Sequence, residues 1–159
     1  MPIFFVYIFL EGELCIQWGR IIIVKNIIFK NGDEAVDHSH KFGRPCLVVS
    51  LFEDKVYFIP LSSKVYNGKY DTEIEIDNKY CKKKSIIKVS NIYCRDGYYY
   101  EEKCKLEDTD LLKILNYLYK YQTLKKCDDL FLIIKDDIQN TIDTLSNRVN
   151  KEKRLVYKL

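Results

Sequence analysis

The segment Lys41–Ser63, KFGRPCLVVSLFEDKVYFIPLSS, holds the residue types best suited to chemistry in this chain. Gly43-Arg44-Pro45 stands directly before an apolar run, and Pro is tolerated at a strand start because its missing donor is not needed there. A second apolar run ends in Pro60-Leu61-Ser62-Ser63. If the two runs pair through a turn centred between Glu53 and Asp54, Arg44 lies opposite Ser63 and Ser62 opposite Pro45. A one-residue bulge brings Ser62 beside Arg44 instead. In either register a guanidinium and two hydroxyls meet at one end of a hairpin, where cross-strand Cβ atoms are about 4.5–5.5 Å apart. The fork of Arg44 matches two phosphate oxygens, and a serine hydroxyl can donate to a third. The competing reading is an arginine paired with a local carboxylate beside two serines that satisfy a strand end.

The neighbouring residues extend this set. His38 and His40 lie in the loop just before Arg44, and either could exchange protons near neutral pH. His38-x-His40 with Asp33 and Asp37 does not reach a convincing metal set, because no further ligand has suitable spacing. Basic side chains that could meet a polyanion are Lys41, Lys64 and the run Lys82, Lys83 and Lys84. Tyr98 and Tyr100 follow the Asp96-Gly97 turn and share one face of a strand, where unstacked bases could rest on their rings. Solvated loop histidines, a charged turn and a strand half in the core are the plainer readings of the same residues.

The elements that must position these groups fall into two parts. Short runs rich in β-branched and aromatic residues predict strands at Ile3–Phe9, Ile21–Phe29, Leu47–Leu51, Val56–Ile59, Thr72–Ile76 and Ser85–Val89. Asp96-Gly97 predicts a two-residue hairpin. From Glu107 the period becomes helical, with Leu111, Ile114, Leu115 and Leu118 on one stripe and acidic residues at its start. A second helix is predicted over Asp129–Asn150, followed by a basic, frayed tail. The expected fold is α+β, a small curled antiparallel sheet with C-terminal helices packed against it.

The chain has 159 residues, a net charge of +3, 47% hydrophobic residues, 6 Gly and 3 Pro. That is globular composition with room for one domain and no long linker. The longest apolar run, Ile3–Leu10, is far short of the roughly 20 residues that span a bilayer, and it lacks the flanks of a signal peptide. Six cysteines form no C-x-x-C pair, so they read as reduced thiols in a cytoplasm rather than a disulfide framework or zinc site.

The segment around Arg44 resembles the MazF/Kid-like endoribonuclease toxins: a polar loop, Arg-Pro, several apolar residues and Ser, then a strand ending Pro-Leu-Thr/Ser-Ser. Lys84–Tyr117 resembles the last strand and terminal helix of the same family, and PLSSK at Pro60–Lys64 is closer to its ToxN/AbiQ/CptN-like branch. The resemblance covers roughly residues 36–122; residues 1–20 match no pattern of the family and read as an N-terminal extension, and residues 107–150 as the helical part. It implies an SH3-like barrel and a metal-independent endoribonuclease without cofactor. In such an enzyme the substrate's own 2′-hydroxyl attacks the adjacent phosphorus and leaves a 2′,3′-cyclic phosphate. By resemblance the catalytic positions fall on Arg44, Ser62 and Ser63, and Lys64 matches the lysine that follows them. The resemblance further implies a type III toxin–antitoxin or abortive-infection system. A small pseudoknot-repeat RNA would then be both processed product and inhibitor, in a protein–RNA hetero-oligomer. The alternatives are a MazF-type toxin neutralised by a protein antitoxin, and a non-catalytic RNA-binding barrel.

Overall fold

A computed structural model describes residues 18–27, 43–62, 72–81, 84–97, 100–125 and 127–158. The strands are β1 (Arg20–Val24), β2 (Arg44–Phe52), β3 (Lys55–Ser62), β4 (Glu73–Ile76), β5 (Ser85–Lys88), β6 (Tyr93–Asp96) and β7 (Glu101–Lys105). Two helices follow, α1 (Asp108–Leu124) and α2 (Asp129–Lys158). The architecture is α+β, as expected. All pairings are antiparallel, in the order β4-β5-β3-β2-β1-β7, with β6 also on β3. The predicted strand Ile3–Phe9 lies outside the described residues.

Among the described residues, β6 and β7 do not pair with each other as the predicted Asp96-Gly97 hairpin would require, and Tyr98 and Tyr99 lie outside the described residues. Gly97 does adopt a left-handed φ of 86°, but β6 pairs with β3 and β7 with β1. The turn residues set a local bend, while the strands found better partners elsewhere in the sheet. That arrangement has a geometric consequence. Strands β6 and β7 are separated by four interstrand steps, about 19 Å in a flat sheet. The link from Asp96 to Glu101 reaches at most about 17 Å fully extended, and Tyr100 bends back to hydrogen-bond Asp96 O at 3.3 Å. The sheet therefore curls, without closing into a complete barrel.

The two faces of the curl bury separate clusters. On the convex side Ile21, Leu47, Val49, Ile59 and Leu61 pack against Leu111, Leu115, Leu118, Phe131, Ile134 and Ile138 of the helices. On the concave side Ile22, Val24, Ile27, Cys46, Val48, Val56 and Phe58 form a second cluster, flanked by Leu51, Tyr93 and Tyr100.

A bulge at Val49 sets the register of the central hairpin. Phe52↔Lys55, Leu51↔Val56 and Ser50↔Tyr57 follow the simple turn, and the pairing then slips by one to Val48↔Phe58 and Cys46↔Pro60. Val49 and Ser50 consequently face the helices together, and the buried Ser50 hydroxyl donates to Asp137 of α2.

The helices end as local chemistry requires. Asp128 caps α2 by accepting from Leu130 N (3.0 Å), and buried Gln122 donates to Val89 O (2.8 Å) while accepting from Asp128 N (2.9 Å). Helix α2 runs past the predicted Asn150 to Lys158. No Gly or Pro interrupts Lys151–Lys158, and Lys, Glu, Arg and Leu are good helix formers. Residues 151–155 are exposed, so propensity rather than burial carries this last stretch. Among the described residues, no helix is long and apolar enough to cross a membrane.

Candidate functional site

Arg44 opens β2 at the edge of the concave face, opposite Val24 of β1. Gly43 delivers it there. Its φ is 113°, and a Cβ added to it would stand 2.7 Å from the Val24 carbonyl oxygen. Only glycine allows the chain to enter β2 this close to β1. Alternation from Cys46 turns Arg44 toward the concave side, and alternation from Phe58 through Pro60 does the same for Ser62. Continuing the slipped register two residues beyond Cys46↔Pro60 sets Ser62 across from Arg44. The bulge thus selects the second of the two registers open to the sequence. Both residues are half-buried, and both make further interactions.

A second guanidinium joins them. Arg95 pairs across from Val56, which puts it on the concave face, and its Nη2 donates to Asn26 O at 2.5 Å. Burial pushes the Cys46 thiol far up from its ordinary value, while the positive charges of Arg44 and Arg95 both pull it down. Burial likewise raises the Tyr100 phenol, which Arg95 opposes and Cys94, Asp96 and Cys46 reinforce. Tyr100 packs against the smaller cluster, and its hydroxyl donates to Asp96 O. Two guanidiniums, Arg44 and Arg95, thus share this face of the sheet with Tyr100, and a guanidinium fork is a group able to hold a phosphate.

The other sequence-derived positions fare unevenly. Lys84 is exposed and pairs with Glu75 at 3.4 Å, which is an ordinary surface contact. His38, His40, Lys41, Ser63, Lys64, Lys82, Lys83 and Tyr98 lie outside the described residues. Cys46, Cys81, Cys94, Cys104 and Cys127 are free thiols. Among the described residues, no group of three or more His, Cys, Asp or Glu side chains is placed to hold a metal ion.

Sequence reasoning passed over Arg95 and the pair Arg20–Glu102, whose Nη1 and Oε2 atoms are 2.5 Å apart. The alternation Tyr93-x-Arg95 was available as a signal, but only the pairing of β6 with β3 turns it toward Arg44. No known protein-family model and no curated protein matches this chain.

Proposed function

We propose that this chain is an endoribonuclease toxin of the MazF/Kid-like superfamily, in its RNA-inhibited type III branch, with the curled sheet as an SH3-like barrel. The observation that carries the reading is the bulged register that turns Arg44 and Ser62 toward one face, with Arg95 close by.

In the proposed reaction the 2′-oxygen forms a bond to the adjacent phosphorus while the bond from phosphorus to the 5′-oxygen breaks. The 2′-hydroxyl proton leaves to a base, and the departing 5′-oxygen takes up a proton. Arg44 binds the equatorial oxygens as negative charge grows on them, Ser62 donates a hydrogen bond to the same group, and the positive charge of Arg95 further favours that build-up of negative charge. Holding the nucleotide in line supplies the rest of the acceleration. His38 and His40 are the candidate proton carriers, and the step calls for no metal. The inhibitory RNA would lie across the same concave face, so one surface serves precursor processing and inhibition.

The test is cleavage of a labelled RNA by Arg44→Ala and Ser62→Ala proteins, each checked for an unchanged melting temperature. A loss of about 100-fold or more in each is expected, by analogy with removal of an oxyanion-hole donor. Full activity in both variants would place the chemistry elsewhere. RNA affinity that falls with no cleavage in the parent protein would favour the non-catalytic binder. A stable RNA-free protein dimer would favour the protein-neutralised toxin. RNA that copurifies and carries a cyclic-phosphate end supports the proposal directly.

A further inference from the structure

Further along the concave face from Arg44 lies a pocket of about 150 Å³, lined by Arg20, Ile22, Val48, Leu51, Val56, Tyr100 and Glu102. Its floor is apolar and sealed: Ile22, Val48 and Val56 are 6%, 3% and 2% exposed. Its polar groups are at the mouth, where the Glu102 side chain retains 39% exposure and Arg20 22%. Arg20 holds Glu102 through the Nη1–Oε2 contact, which fixes the carboxylate at the opening. The volume corresponds to about five waters at their share of liquid volume, which is room for one flat ring.

We propose that this pocket is a nucleobase subsite, and that Glu102 selects a base carrying an exocyclic amino group over uracil. The inference rests on the ribonuclease reading and deepens it. A base leaving the stack needs an apolar floor, an aromatic neighbour and a partner for its pairing edge. Ile22, Val48 and Val56 supply the floor, Tyr100 the ring and Glu102 the partner.

A carboxylate only accepts, so it rewards the amino N–H of adenine, cytosine or guanine. Uracil sets two carbonyl oxygens around its single ring N–H, and each would face the carboxylate unfavourably. The distance also suits a polynucleotide. Val48 and Arg44 are four residues apart on β2, about 13 Å along the strand. Tyr100 borders both ends, lining the pocket while sensing Arg95 and Cys46. A strand with its reactive phosphate at Arg44 can therefore place a nearby base in the pocket. Glu102 is the specificity residue, and Arg20 is a positioning residue that acts through it.

The experiment uses the full chain and has two arms. In the first, AMP, CMP, GMP and UMP are titrated separately while amide and methyl NMR signals of Val48, Val56 and Tyr100 are followed. Amino-bearing nucleotides are expected to shift these signals and to bind about tenfold or more tightly than UMP, and Glu102→Gln is expected to erase that difference. In the second arm, cut sites in a randomised RNA are sequenced for the parent and Glu102→Gln proteins. Uridine is expected to be excluded at one fixed position near the cut by the parent and admitted there by the variant.

Arg20→Lys, which keeps the charge near Glu102, should preserve much of the preference, whereas Arg20→Ala should blur it. Selective nucleotide binding without any cleavage would sustain the pocket and sink the nuclease reading. Cleavage with an identical site preference in Glu102→Gln would sink the pocket and sustain the nuclease. UMP binding as tightly as the others overturns the proposal outright.

Discussion

The two faces of the curled sheet are built from the same strands and do different work. Among the described residues, the helix side buries twenty side chains in one cluster and the concave side seven. Burial stabilises roughly in proportion to apolar area, so most of the folding free energy resides where the helices pack. The smaller cluster is instead ringed by Arg20, Arg44, Arg95, Tyr100 and Glu102. Several of these rim groups are tied within the fold: Arg20 to Glu102, Arg95 Nη2 to Asn26 O, and the Tyr100 hydroxyl to Asp96 O. The division teaches that the helices stiffen the sheet from one side and leave the charged and aromatic side chains at the margin of the other.

The strongest way to break this comparison is to cut into each cluster in turn. Phe131 is fully buried and meets Tyr119 edge-on, with ring centroids 5.6 Å apart. Phe131→Ala should cost about 3–5 kcal/mol in urea unfolding, because helix and sheet cannot close fully around the cavity. Phe58→Ala on the concave side should cost less, since its neighbours there are fewer and can collapse. A larger loss from Phe58 would reverse the assignment of the two faces.

Next in size is a substitution that strikes the concave face through the backbone. Gly43→Ala forces a side chain into a positive-φ position against the Val24 carbonyl. About 1–3 kcal/mol of stability should be lost, as for other strained backbones. RNA cutting should fall further than that loss explains, on the order of 100-fold, because Arg44 moves with the strained chain. Equal losses per folded molecule in activity and stability would mean that Gly43 serves the fold alone.

Much of the molecule was legible from residue order because its determinants are local. The runs at Leu47–Leu51 and Val56–Ile59 are strands because they are β-branched and aromatic, and the stripe from Leu111 to Leu118 is a helix because its period is helical. The neighbourhood of Arg44 and Ser62 was visible as one of two registers, and the choice between them depended on the Val49 bulge. That bulge turns Ser50 toward Asp137, a contact across 87 residues, which no local pattern announces. Long-range pairing also explains why β6 lies on β3 and β7 on β1, and why the Arg20–Glu102 pair, whose members are 82 residues apart, was overlooked. Local chemistry chose the elements; the curl of the sheet chose which charges became neighbours.

The smallest effect tests whether polar contacts on the helix side matter in the same currency. Tyr80 donates to Asp110 Oδ2 (2.5 Å) and accepts from Glu107 N (2.8 Å), tying the turn before β5 to the first turn of α1. Lys79 Nζ lies 3.0 Å from Glu107 and 3.1 Å from Asp110. The Tyr80 hydrogen bond, and after it Lys79, hold the Asp110 carboxyl below the ordinary carboxylate value. Burial and then Asp110 raise the Tyr80 phenol. The two shifts agree in sense, since both favour an ionised Asp110 beside a neutral Tyr80. A lowered carboxyl stabilises the fold above its unfolded pKa, and that contribution disappears as pH falls through the folded value. A raised phenol contributes fully below its unfolded value near 10 and loses that contribution as pH climbs through the folded one. Tyr80→Phe should therefore cost about 1 kcal/mol at pH 7, a modest figure because the cluster is partly solvated. The gap between parent and variant should narrow below about pH 4 as Asp110 takes up its proton. A gap that stays constant down to pH 2 would mean that the Tyr80 ring acts by packing and that the hydrogen bond contributes nothing.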